Sequence, residues 1–327
     1  MSAILRYAKI IRERYTAIII GTLIIAILIG CFTSSPGIFI RQFNVLIIIV
    51  LIGAMSFTIT FDSLAKAFKN WKGTIVGLAL NFLFAPLLCW SLALLLLSDY
   101  PELAIGLILI GTVPCAGMAM MWTGSLKGDV PLAIVIEAIT MLLAPFVIPF
   151  LMLLFAGRFV SINTWELLWQ LLYTVLFPVI GAIVLREYLE RRSKAEKYLP
   201  IMPAVSATMA VFLMFMAINT AVPSIIANLQ LIAPMVVSTV LIFPILFIVA
   251  RIASRGIFAR GTSIAITYSS GMKNLPLAIG IAAMSLTGLA TLPIAVGFVF
   301  QMLTAVAFYQ LFRRAAEADV TKKGSSV

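Results

Sequence analysis

The stretch Gly111 to Asp129, G-T-V-P-C-A-G-M-A-M-M-W-T-G-S-L-K-G-D, decides the fold. It is apolar over a membrane-spanning length, yet Pro114 and Gly117 interrupt it, Cys115 puts one thiol inside it, and Lys127-Gly128-Asp129 closes it with a charged turn. In a bilayer, backbone freed by such a break is tolerated only where it is buried in protein or lines a cavity. The stretch therefore reads as half of a binding site.

Around it lies a chain of 327 residues that is 63% hydrophobic and 11% charged, against about 25% charged in soluble domains. Such a chain is an all-α polytopic membrane protein, and its length holds about ten spans of roughly 20 residues. The absence of histidine excludes Ser-His hydrolysis, His-ligated zinc and bis-His haem. There is no D-x-x-D cluster to hold a magnesium pyrophosphate, so no enzyme and no cofactor is expected. Cys31, Cys89 and Cys115 all sit in apolar segments, and an odd count gives no disulfide framework. Cys31 and Cys89 read as buried small hydrophobes. The run after Arg12, Glu13 and Arg14 ends in Leu28-Ile29-Gly30-Cys31, the form of a lipoprotein cleavage box. More membrane follows it rather than a soluble domain, so it reads as the first span.

Hydropathy and breakers place spans at 16–33, 43–61, 74–98, 102–124, 130–156, 167–188, 200–222, 229–253, 258–285 and 291–312. The positive charges test this parsing. One set of loops and ends holds Arg6, Lys9, Arg12, Arg14, Lys66, Lys69, Lys72, Lys127, Arg186, Arg191, Arg192, Lys194, Lys197, Arg251, Arg255, Arg260, Arg313, Arg314, Lys322 and Lys323. Arg41 and Arg158 alone fall opposite, and Lys273 lies within a span. Positive residues mark the cytoplasmic side, which puts both termini in the cytoplasm of a cell-membrane protein. Topology also accounts for the net charge of +11 without nucleic acid.

Ten spans divide into two inverted five-helix repeats. Asn81 and Pro86 interrupt the third span, Ser238 and Pro244 the eighth; Pro114 to Gly117 break the fourth, and Ser269 to Pro276 the ninth. Paired interruptions in corresponding positions point to a transporter site, here formed by broken helices 4 and 9. The domains are then residues 1–15, a cytoplasmic arm; 16–156, the first repeat; 157–199, the sixth span with its cytoplasmic linker; 200–312, the rest of the second repeat; and 313–327, a cytoplasmic tail.

Two ionisable residues lie deep in apolar segments, Glu137 and Lys273. Unpaired at the membrane centre, each charge costs about 2.5–3.5 kcal/mol, so neither faces lipid. They either pair with each other or belong to a substrate or coupling-ion site, where either is a candidate proton carrier. In Tyr268-Ser269-Ser270-Gly271-Met272-Lys273-Asn274-Leu275-Pro276, hydroxyls, an amide and one ammonium gather within about two turns. Half-helix N-termini aimed at the same place, together with Lys273, favour an anionic ligand or a thiolate at Cys115. Candidate substrate contacts are Pro114, Cys115, Gly117, Met118, Ser270 and Asn274; candidate coupling residues are Glu137, Ser269 and Lys273. Cys115 is a candidate soft-metal ligand, because a thiol beside a cation ionises more readily and binds soft metals; one cysteine alone is a weak metal signal, where three would make a cage. Trp90, Met118, Met120, Met121 and Trp122 fit a substrate path or ordinary packing equally well.

The chain resembles the bile-acid/arsenite/riboflavin transporter superfamily over residues 10–315. Pro114 to Asp129 is similar to the fourth span of arsenite-efflux permeases, with a Pro-Cys pair, a downstream Met and Trp, and a K-G-D ending; that implies a metalloid role for Cys115. Ser270 to Asn274, S-G-M-K-N, resembles the ninth-span G-M-Q-N of sodium/bile-acid symporters. Ala119, Met120, Ser269 and Lys273 stand where those symporters place sodium ligands, and Pro276 stands where arsenite permeases carry an acidic residue. The resemblance implies a panel of spans 1, 2, 6 and 7 and a core of spans 3–5 and 8–10, with broken helices 4 and 9 crossing in the core domain. It implies a secondary transporter for a metalloid oxyanion, or alternatively for an organic anion, coupled to H+ or Na+. A receptor is a third reading. With Lys273 standing in for a bound cation, proton-coupled or uncoupled transport is expected ahead of sodium coupling.

Overall fold

The computed structural model describes residues 3–60, 62, 65, 70–160, 163–286 and 288–324, and those residues are mainly helical, with two isolated bridges and no strand among them. Lys66 and Lys69 of the positive series lie outside them, as do the side chains of Lys9, Arg12, Lys322 and Lys323. The helices are α1 (Ala3–Gly30), α2 (Ser35–Arg41), α3 (Asn44–Ser56), α4 (Trp71–Leu96), α5 (Pro101–Thr112), α6 (Met118–Ser125) and α7 (Val130–Ala156). They continue with α8 (Thr164–Arg191), α9 (Met202–Ala227), α10 (Ile232–Ser254), α11 (Arg260–Gly271), α12 (Leu275–Ser285) and α13 (Thr291–Gly324).

Among the described residues, six stretches are long and apolar enough to cross a membrane alone: Trp71–Leu96, Val130–Ala156, Thr164–Arg191, Ala195–Ala227, Leu229–Ser254 and Gly288–Ala315. The chain is a multi-pass membrane protein. Where hydropathy places ten unbroken or broken spans, α3, α5 and α12 are apolar helices of 13, 12 and 11 residues. At 1.5 Å per residue such helices reach about 20 Å, short of a hydrocarbon core about 30 Å thick. α1 and α2 meet at 118°, around a turn that leaves Cys31 exposed rather than buried.

Helix starts follow local chemistry. Asn70, Asp129, Asn163 and Asn274 each accept a backbone N–H of the first turn they precede, and proline occupies the first turns of α2, α5, α7, α9 and α12, where no N–H donor is needed. Asp129 does more than cap α7. Its Oδ1 accepts Leu132 N–H at 3.1 Å, while Oδ2 accepts Asn70 Nδ2 at 3.2 Å and Thr262 Oγ1 at 3.3 Å, tying the starts of α4, α7 and α11 together. The charged turn that closes the opening stretch is thus a structural knot, with Lys127 held at a positive φ of 55°.

Pro86 shapes α4. It lacks an N–H, and its ring crowds the carbonyl four residues back. The helix widens just before it into a π turn over Leu80–Phe84, which carries Asn81. In the packing, α9 lies against α1 and α3, and α8 against α3; α4 lies against α5, α10 against α11 and α13, and α11 against α6 and α7.

Candidate functional site

Pro114 forces the residue before it out of the helical region, and Val113 is extended at φ −68°, ψ 154°. The second break is shorter than the reading from Ser269 to Pro276. α11 runs on through Gly271, Met272 is extended, and α12 restarts at Leu275, because Pro276 sits in a first turn and Asn274 caps it. Ser269 and Ser270 are therefore helical.

The two breaks pair with each other. Ala116 N–H donates to Met272 C=O at 3.0 Å and Asn274 N–H to Pro114 C=O at 2.9 Å, an antiparallel bridge with Cys115 opposite Lys273. These bonds flank the central pair, which is the arrangement that brings opposed residues closest, with Cα atoms about 4.5 Å apart. The ladder consumes backbone groups that the breaks release. Side chains take others: Thr140 Oγ1 accepts Cys115 N–H at 3.3 Å, and the Gln301 amide both accepts Lys273 N–H at 2.8 Å and donates to Lys273 C=O at 3.1 Å.

Lys273 is fully buried, and its ammonium donates to the Asn81 backbone oxygen at 3.2 Å and to Asn81 Oδ1 at 3.1 Å. Asn81 Nδ2 in turn donates to Gly77 C=O at 2.9 Å and to Ser269 C=O at 3.0 Å, so both ends of the amide are used. Glu137 is 1% exposed, and neither carboxyl oxygen has a hydrogen-bond partner. The alternative in which Glu137 and Lys273 pair is thus corrected: the π turn offers Asn81 to the ammonium instead. Glu137 Oε1 lies over Gly117, where a Cβ would come within 2.8 Å of it and within 3.2 Å of Met55 Cε. Only glycine admits the carboxyl this closely.

The structure gathers Pro114, Cys115, Gly117, Lys273 and Asn274 at the crossing, with Met118 opening α6 beside them. Cys115 is fully buried, its thiol donating to Ala116 C=O at 3.5 Å. The Ser269 and Ser270 hydroxyls are buried without partners. Asn274 spends its Oδ1 on Leu277 N–H and points Nδ2 at Met55 Sδ, 3.7 Å away. No group of three or more His, Cys, Asp or Glu side chains able to hold a metal occurs among the described residues. Trp122 stacks on Tyr268 with centroids 6.0 Å apart, and Trp90 lies against Phe155.

Sequence reasoning missed Asn81, Thr140, Gln301 and Met55 as parts of this site. The signal for Asn81 and Gln301 was present, since an amide deep in a span needs a partner. None of the crossing residues lines the cavity of about 480 Å³ at the α1–α2 turn, which Cys31, Phe32, Thr33 and Pro223 border.

A family model described as the Sodium Bile acid symporter family matches residues 45–228. The chain is 25% identical over 175 residues to an uncharacterized sodium-dependent transporter of Bacillus subtilis, covering 53% of this chain and 54% of that one. It is 26% identical over 235 residues to a probable chloroplastic sodium/metabolite cotransporter of Oryza sativa, covering 72% and 55%. A third relative, an arsenical-resistance protein of Corynebacterium glutamicum, is 41% identical over 64 residues, 20% of this chain and 17% of that one. The chain thus spans about half the length of the first two relatives.

Proposed function

The chain belongs to the Sodium Bile acid symporter family, and from that premise we propose that it is a secondary transporter for a small anion or metalloid oxyanion that works without sodium. One observation carries the reading: the Lys273 ammonium already occupies the two oxygens of Asn81 at the crossing. Oxygen ligands suited to a monovalent cation are engaged by a cation fixed to the chain. Ten crossings, two inverted repeats and cytoplasmic termini in the cell membrane complete the proposal, supported by the distribution of positive residues. A panel built on α1, α3, α8 and α9 moves against a core built on α4–α7 and α10–α13, a division supported by their contacts. Transport in proteoliposomes is expected to continue when choline replaces sodium on both sides. Strict sodium dependence overturns this reading.

Arsenite-type efflux is the first substrate reading. It is supported by Cys115 opposite Lys273 and by the short but closer match to the arsenical-resistance protein. A Cys115→Ser protein is expected to lose metalloid resistance in a sensitive host at unchanged expression. Unchanged resistance favours the second reading, symport of an organic anion; the names of the more extensively matched relatives, a sodium-dependent transporter and a sodium/metabolite cotransporter, support symport.

A further inference from the structure

Glu137 is a buried acidic group that Lys273 does not neutralise. Both its oxygens lie inside the protein with no donor, in a membrane interior where an isolated carboxylate is neutralised rather than kept charged. It is not remote from the moving parts. Its Oε1 lies against Gly117, the residue at which the first break turns into α6. Thr140, one turn along α7, donates to the Glu137 carbonyl at 3.0 Å and accepts the Cys115 N–H at 3.3 Å, so the break and the turn carrying Glu137 are tied. Met55 closes the space from α3, an element on the other side of the panel–core division.

We propose that Glu137 is the proton-binding group of the transport cycle: it holds one proton while the crossing is closed and releases it to water when the Gly117 break separates from α3. The proton returns from water on the opposite side, and no bond but O–H forms or breaks. This rests on the crossing being the transport site.

The other titratable groups on elements packed against α7 define the setting. α4 carries Lys72, exposed, and Cys89, buried; α5 carries Glu102 at its first turn; α11 carries Arg260 and the buried Tyr268; α8 carries Glu166 and Tyr173, both exposed where it meets α7. Cys115 and Lys273 are the groups at the crossing itself, with Lys273 held by Asn81. α3 and α6 contribute no titratable side chain.

Infrared spectroscopy on the purified protein in lipid tests the assignment. A protonated-carboxyl band is expected at neutral pH, shifted in D2O and absent from Glu137→Gln; Glu137→Asp should keep the band at a displaced position, which preserves the test if the Gln variant misfolds. A parent spectrum without the band, or a band unchanged in both variants, overturns the proposal. In proteoliposomes with arsenite as probe, uptake driven by a pH gradient should fall to background in Glu137→Gln. Gradient-driven uptake equal to the parent's overturns the proposal as well. A parent that moves neither arsenite nor a bile salt refutes the transport reading, and the infrared band then decides by itself whether Glu137 holds a proton.

Discussion

Asn81→Ala is expected to destabilise the protein by about 1.5–3 kcal/mol, the range for a hydrogen bond to a charged group. The reason is what remains. Lys273 is fully buried, and without Oδ1 its ammonium keeps only the Asn81 backbone oxygen. The Ser269 carbonyl also loses the donor that links α11 to α4. A neutral hydrogen bond contributes only about 0.5–1.5 kcal/mol, so the size of the loss reports whether a charge was being held. A second substitution separates the two cases. Lys273→Met keeps a long apolar side chain and removes the stranded charge, so Asn81→Ala with Lys273→Met should be more stable than Asn81→Ala alone, with a coupling of about 1–3 kcal/mol. Thermal unfolding of the four proteins in detergent measures the cycle. Additive effects would show that Asn81 is not the holder of the charge.

That contact marks the boundary of what the sequence discloses. The first break was legible because Pro114 removes an N–H and constrains Val113, both local effects. The limits of α7 were legible too, because Asp129-Val130-Pro131 is a start signal and hydropathy runs unbroken to Ala156. Pairing between Cys115 and Lys273 joins residues far apart in the chain, and no local pattern encodes a register of that kind. An amide in an apolar run announces that it needs a partner without naming it. Pairing Glu137 with Lys273 followed from counting the deep ionisable residues; it failed because Asn81, turned inward by the widened helix before Pro86, meets the ammonium as a neutral ligand. Hydropathy also counts apolar residues rather than continuous helix. Ten apolar stretches therefore contain six that are long and apolar enough to cross as single pieces among the described residues.

The second large effect is expected at Gly106, and it shows how the crossing is held from behind. α5 leads into the first break, and at Gly106 it touches backbone: an added Cβ would stand 2.1 Å from the Ala290 carbonyl oxygen and 2.9 Å from Pro293 Cγ. Small residues allow such helix contacts in membranes. Here the obstacle is the main-chain carbonyl of the residue just before α13, which cannot rotate aside as a side chain does. Gly106→Ala should therefore cost about 3 kcal/mol, the upper part of the usual range for overpacking. Gly53→Ala is the control, since a Cβ there meets nothing within 4 Å, and replacing a helix-interior glycine changes stability little or raises it by about 0.5–1 kcal/mol. The consequence reaches the site through α13. Gln301 lies on that helix and grips both backbone groups of Lys273. Pushing α13 away from α5 loosens that grip, so Gly106→Ala should reduce transport as well as stability, while Gly53→Ala should leave the unfolding temperature unchanged or higher. Equal unfolding temperatures for the two variants would mean that α5 and α13 do not meet backbone to backbone, and that Gln301 is positioned by some other contact.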